Sequence, residues 1–166
     1  MPGKNINPAL IKTCRQIYME VTPLIYSTNT FDIGNLDDLI FLNQTILPNR
    51  MASIRFLRIG WSVCFLPFCD SLKPTDRPHD DETWRRFWNI IATRMTGLTD
   101  LDVTLRICRP YELSLEKIWL KPLMDIRGLR RFILEIVYNY NNFRDPEGEV
   151  LAFRKEIERA VCQPRD

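Results

Sequence analysis

Three segments of the chain repeat one pattern, apolar-x-x-apolar-x-apolar: IRFLRI at 54–59, LTDLDV at 98–103 and LRRFIL at 129–134. Each follows a stretch that reads as a helix, and FDI at 31–33 is a shorter fourth copy. Recurring helix-then-strand units have few ways to bury all of their apolar faces. They stack side by side, so that the strands share one parallel sheet and the helices cover it. Stacks of this kind present long surfaces to other proteins.

The units can be read along the chain. Residues 8–26 place Leu10, Cys14, Ile17, Tyr18, Val21 and Ile25 on one helical face, with Pro8 in a first-turn position. Pro23 removes a backbone bond, so a bend is expected there, or a helix end near Thr22. Residues 28–33 read as a strand, broken by Gly34 and Asn35. Residues 36–47 form a second helix, stopped by Pro48 and Asn49, and 53–61 a second strand. Residues 82–95 carry Trp84, Phe87, Trp88, Ile91 and Met95 in one stripe, with Arg85, Arg86, Asn89 and Arg94 on the other faces. Asp80 or Asp81 caps this helix and Gly97 is expected to close it. A strand follows at 98–107. A helix is expected at 114–126, with Pro122 inside it and Gly128 at its end. The last strand is 129–138, and a final helix starts at Asp145 and Pro146 and runs to about Val161.

The aligned inner positions are Phe31, Leu57, Leu101 and Phe132, at spacings of 26, 44 and 31 residues. The middle spacing contains an insertion at about 62–81, and without those 20 residues it becomes 24. Periods near 25–30 with this strand motif match leucine-rich-repeat-like solenoids. The expected fold is therefore α/β: a short right-handed solenoid of about four helix-strand units in one domain over residues 1–166. Its parallel sheet has helices on one face.

Composition excludes several function classes. A chain of 166 residues that is 45% hydrophobic and 27% charged has the makings of a folded domain. A net charge of +2 makes no electrostatic case for nucleic acid or an acidic membrane. The first ten residues lack the apolar run of a signal peptide, and the longest such run, at 63–69, is too short to span a bilayer. An intracellular location, cytoplasmic or nuclear, is expected. Cys14, Cys64, Cys69, Cys108 and Cys162 then read as free thiols.

Catalytic signals are sparse. His79, the single histidine, lies among Asp80, Asp81 and Glu82, where it could bind metal or move protons. An exposed loop histidine is the simpler reading, because a metal or hydrolase site needs several placed partners. Cys64 and Cys69 with His79 make an incomplete zinc set, and Phe65, Leu66 and Phe68 around them favour buried thiols. A Cys/His nucleophilic pair would reuse the same residues with no orienting group. Arg85, Arg86 and Arg94 near Trp84 and Trp88 could suggest nucleic acid, but the stripe separates the aromatics from the arginines. No phosphate-binding glycine loop or nucleophile elbow is present. The expectation is no catalytic residue, no metal and no cofactor.

The strands are more informative. Alternate strand side chains point away from the helices. The outward set is Thr30 and Asp32; Arg55 or Arg58; Asp102, Thr104 and Arg106; and Ile133, Glu135 and Val137. It is a mixed-charge row with an apolar patch at one end. The insertion, with Trp61, Phe65 and Phe68, could instead fold over this face.

The segment TCRQIY at 13–18, then Glu20, then PLIYSTNTF at 23–31, resembles a signature of an uncharacterised domain family of filamentous ascomycete fungi. Its members read TCRQIY-x-E-x-x-P-L-x-Y-S-x-N-x-F. Trp61, and an aromatic helix followed by a GL-x-x-L-x-V strand, are also similar. The resemblance implies no catalytic residues. Members of that family often carry an F-box-like segment upstream; only seven residues precede Pro8 here, so none is expected.

The leading expectation is a non-catalytic protein-interaction module. It would dock a protein partner through Asp32, Arg58, Asp102, Thr104, Arg106, Ile133 and Glu135, as the substrate-recognition part of an F-box-like adaptor does. A small enzyme using His79 with nearby Cys or carboxylate groups, or a weak nucleic-acid binder, are the alternatives.

Overall fold

A computed structural model of the chain describes residues 14–63, 81–107, 120–138 and 149–165. Four strands form one parallel sheet: β1 (Thr30–Ile33), β2 (Phe56–Val63), β3 (Asp100–Ile107) and β4 (Arg131–Tyr138). Neighbours in the sheet are neighbours in sequence, in the order β1-β2-β3-β4. Phe31, Leu57, Leu101 and Phe132 stand level with one another across it. The inner positions read from the sequence therefore share one register.

That register explains the repeat. Leu57, Leu101 and Phe132 form one buried row, Ile59, Val103 and Leu134 the next, and Trp61, Leu105 and Ile136 a third. Ile54, Leu98 and Leu129 are buried just before their strands begin. Every apolar position of the three full motif copies thus lies in the core. Strand pairing starts later than the pattern because the first apolar residue of each copy enters the core ahead of the ladder.

The helical elements are α1 (Arg15–Thr28), α2 (Leu36–Thr45), α3 (Pro48–Met51), α4 (Asp81–Arg94), a 3-10 turn (Lys121–Asp125) and α5 (Glu149–Val161). α2 lies beside α4, α4 beside the 3-10 turn, and the turn beside α5. The layer over the sheet therefore follows chain order, while α1 rests on α3. The tryptophan stripe of α4 forms the centre. Trp84 and Phe87 are fully buried and Trp88 is 1% exposed. Trp84 stacks on Trp61 at 4.8 Å between ring centres, and Trp88 meets Trp84 and Phe87 edge-on at 5.3 and 5.0 Å. Trp61 thus faces the helices and does not fold over the opposite face. Phe65 and Phe68 lie outside the described residues.

Several boundaries differ from the sequence reading. α1 does not end near Thr22 but continues through Pro23 to Thr28. The proline costs one backbone bond. Side-chain bonds close the C-terminal turn, from Thr28 Oγ1 to the Leu24 carbonyl at 2.7 Å and from Asn29 Nδ2 to the Ile25 carbonyl at 2.9 Å. Pro48 stands at the first turn of α3, where its missing N–H is harmless, so it opens a helix as well as following one. Gly97 is not a left-handed cap; Gly128, at φ 76°, is the single glycine with positive φ among the described residues. Gly97 is required for a different reason: a Cβ there would stand 2.1 Å from the Ala52 carbonyl oxygen. Around Pro122 the chain forms a 3-10 turn, and residues 114–119 of the expected helix lie outside the described residues.

The units are joined by a repeated hydrogen-bond device. The Arg55 carbonyl accepts from the N–H groups of Thr99 and Asp100, both at 3.0 Å. At the matching place one strand further, the Thr99 carbonyl accepts from Arg130 and Arg131 at 2.8 and 3.1 Å. Satisfying these groups pairwise lets the strand entrances stack closely, as buried backbone requires.

Candidate functional site

The outer face of the sheet is assembled by period-two alternation. Asp32, Arg58, Asp102 and Ile133 occupy one register line across all four strands. Thr104 and Glu135 stand level with Gly60 on the next outward line, and Arg106 and Val137 on the one beyond. All seven residues proposed from sequence therefore share one face. Arg55 does not belong to it. Its guanidinium donates to the Gly97 carbonyl at 3.0 Å, which settles the choice in favour of Arg58.

Arg58 lies between two carboxylates, 3.9 Å from Asp32 and 3.8 Å from Asp102. These are loose ion pairs; Arg58 and Asp32 are largely exposed and Asp102 is 33% exposed, so solvent screening leaves little net attraction. Their charges are free to re-pair with another surface. Ile133 is 37% exposed beside them, the apolar end of the line. Gly60 leaves a hollow, since nothing lies within 4 Å of where its Cβ would be.

Sequence reasoning missed one line of this face. Phe56, Asp100 and Arg131 stand level with Thr30, around a depression of ≈ 70 Å³ that also reaches Arg58 and Asp102. The signal was available, because these residues alternate with the buried motif positions. Arg130 holds Asp100 from the side, with two contacts to its carboxylate at 3.0 and 3.1 Å.

His79, Cys64, Cys69 and Cys108 lie outside the described residues, and no group of metal-ligating side chains forms among those described. Cys14 and Cys162 are free thiols. Burial, with Glu158 nearby, raises the Cys162 thiol above its ordinary value. Arg85, Arg86 and Arg94 are exposed on α4 while Trp84 and Trp88 are buried, so the basic and aromatic side chains do not form one surface. No described helix is long and apolar enough to cross a membrane.

The signature segment also acquires a physical role. Cys14 Sγ accepts from the Ile17 N–H at 3.4 Å and caps α1. Gln16 donates to Glu20 at 3.1 Å along the helix. The Tyr18 hydroxyl accepts from Arg50 of α3, Tyr26 stacks on Phe31 at 5.6 Å, and Asn29 ends the helix. The segment thus docks α1 onto the start of the sheet.

Residues 4–152 match the sequence model of a domain of unknown function, DUF7730. The chain belongs to this family. No curated protein and no solved structure matches it. The DUF7730 match covers β1 to β4 and the start of α5, so the outer face is built wholly from residues of the domain.

Proposed function

We propose that this DUF7730 domain is a non-catalytic protein-interaction module, a short leucine-rich-repeat-like solenoid that docks a protein partner on the outer face of its sheet. The observation that carries this reading is the line Asp32, Arg58, Asp102 and Ile133, held in register by four strands and left uncovered by the helical layer. A rigid sheet fixes the spacing of these side chains before any partner arrives, which lowers the ordering cost of binding. The partner of matching chemistry presents basic groups to Asp32 and Asp102, an acidic group to Arg58, and an apolar side chain to Ile133. Selecting substrates for an F-box-like adaptor is one use of such an arm, and the resemblance to the fungal family supports it.

The test begins with a partner captured by the native chain, identified and then purified for titration. Arg58→Ala, Asp102→Ala and Arg106→Ala should each weaken its binding while leaving the melting temperature unchanged. Gly60→Tyr places a ring over the open hollow without backbone strain, and should weaken binding by about tenfold or more. Unchanged affinity in all four variants, or loss of stability matching loss of binding, rejects the outer face as the docking surface.

A further inference from the structure

We propose that the cavity between α1 and α3 is a second binding site, which takes the carboxylate or phosphate group of a ligand with a flat apolar body. The cavity measures ≈ 350 Å³ and lies between Tyr18, Met19, Pro23 and Tyr26 on α1 and Arg50 on α3. It is at the small end of the range of ligand pockets, large enough for one ring and its charged group. None of its lining residues belongs to the outer face of the sheet, so it stands or falls independently of the docking surface.

Charge is the first argument. Arg50 is half-buried, and among the described residues no carboxylate pairs with it. It is held by aromatic groups instead: it donates to the Tyr18 hydroxyl, and its Cζ lies 4.9 Å from the Tyr18 ring centre and 6.0 Å from that of Tyr26. A guanidinium is cationic at any physiological pH, and the Tyr18 hydroxyl, aided by Tyr26, raises that of Arg50 further. A guanidinium has five N–H donors in a planar fork, suited to two oxygens of one anion. Because the Tyr18 oxygen accepts from Arg50, its own proton is left to donate to the same anion.

Thr22 supplies a second, independent observation. It is the one buried residue of α1, it lines the cavity, and its hydroxyl has no hydrogen-bond partner among the described residues. Buried hydroxyls are rarely left so. The remaining walls are two tyrosine rings, Pro23 and Met19, which is 63% exposed, together with the polar residues Asn49 and Ser53. A cation, the Tyr18 hydroxyl and flat aromatic walls together match an aryl carboxylate or an aryl phosphate. The charged group can arrive on a free small molecule or on a peptide side chain.

The experiment is an NMR titration of the full chain with phenyl phosphate, benzoate and the neutral benzyl alcohol. Saturable shifts at the Arg50 Nε–H and at the Tyr18 and Tyr26 rings are expected with at least one anion, with binding about tenfold or more weaker for the alcohol. Arg50→Gln should abolish them. No saturation by either anion at about 10 mM, equal affinity for the alcohol, or full binding by Arg50→Gln overturns the site. If Arg50→Gln fails to fold, the native chain decides: anion affinity must fall between about 50 and 200 mM salt, and affinity independent of salt overturns the proposal. A phosphotyrosine peptide run alongside identifies the source. Tighter binding than phenyl phosphate assigns the site to peptides, and weaker binding assigns it to free small molecules.

Discussion

Trp88 shows what a single residue contributes. Its ring is 1% exposed and meets two other rings edge-on, so truncation would leave a large cavity in a packed centre. Trp88→Ala should cost about 3–5 kcal/mol in urea denaturation, and a cost under about 0.5 kcal/mol would contradict its place in the core. This residue was legible in the sequence because an amphipathic stripe is a property of one helix alone. Gly97 was not, because its constraint lies in the distant Ala52 carbonyl, 2.1 Å from where a Cβ would sit. Gly97→Ala forces two neighbouring units apart and should destabilise the protein by about 1–3 kcal/mol on the same assay. Cys162 offers a pH-dependent test. Its thiol is raised above the ordinary value of 9.0, first by burial and then by Glu158, so the reactive thiolate is scarce near neutrality. Alkylation at Cys162, followed by mass spectrometry, should stay slow at about pH 8 and keep accelerating above about pH 9. A rate that levels off below that range would show a thiol without this environment.

Prolines and glycines decided where reading the elements from sequence worked and where it did not. Gly34 and Asn35 separate β1 from α2 as expected, with Asn35 Oδ1 accepting from the Asp37 N–H at 3.4 Å. At Pro23 the helix that continues is one of the two outcomes expected, and Pro48 follows the end of α2 but also opens α3, because a proline marks a possible break and packing decides whether the break occurs. α1 tolerates the loss of one bond, and α3 uses the proline to begin. Gly128 is a third case. It takes φ 76° and donates its N–H to the Gln163 carbonyl at 2.7 Å, so its conformation depends on the far end of the chain. Arg165 completes that junction. Nε donates to the Arg127 carbonyl at 2.8 Å and Nη2 to the Met95 carbonyl at 3.2 Å, while Nη1 reaches the Thr96 carbonyl. One planar fork thus ties the end of α4 to the loop before β4. Arg165→Ala should cost about 1.5–3 kcal/mol in chemical denaturation. Arg165→Lys should recover little of it, because an ammonium cannot span three carbonyls in one plane. Full recovery by lysine would reduce the clamp to simple charge.

For the whole molecule, the sheet register was legible because a repeated motif must place equal positions side by side. The outer face followed from the same alternation, apart from the line of Phe56, Asp100 and Arg131. The cavity beside Arg50 was hidden, since it depends on how α1 leans on a helix that the sequence disguised as a stop. Whether the units behave as a stack or as one block can be tested at the α5 end. Ile157 and Val161 of α5 are fully buried, and the Leu129 N–H donates to the Val161 carbonyl at 3.1 Å. Arg154 adds a bond to the Ile136 carbonyl at 3.3 Å. α5 therefore covers the inner face of β4, while α2 and β1 lie at the opposite end of the sheet. In a stack, each unit is stabilised chiefly by its neighbours. Ending the chain at residue 148 should then lower the melting temperature by about 10 °C or more and expose apolar surface to a dye. Amide exchange should quicken most at Phe132 and Leu134, less at Leu101 and Val103, and least at Leu57 and Ile59. The graded order is the decisive outcome, because nearest-neighbour coupling fades with each strand crossed. An equal rise in exchange at all six positions would mean that the sheet opens as a single cooperative unit, and that its register alone, without stacked units, carries the outer face.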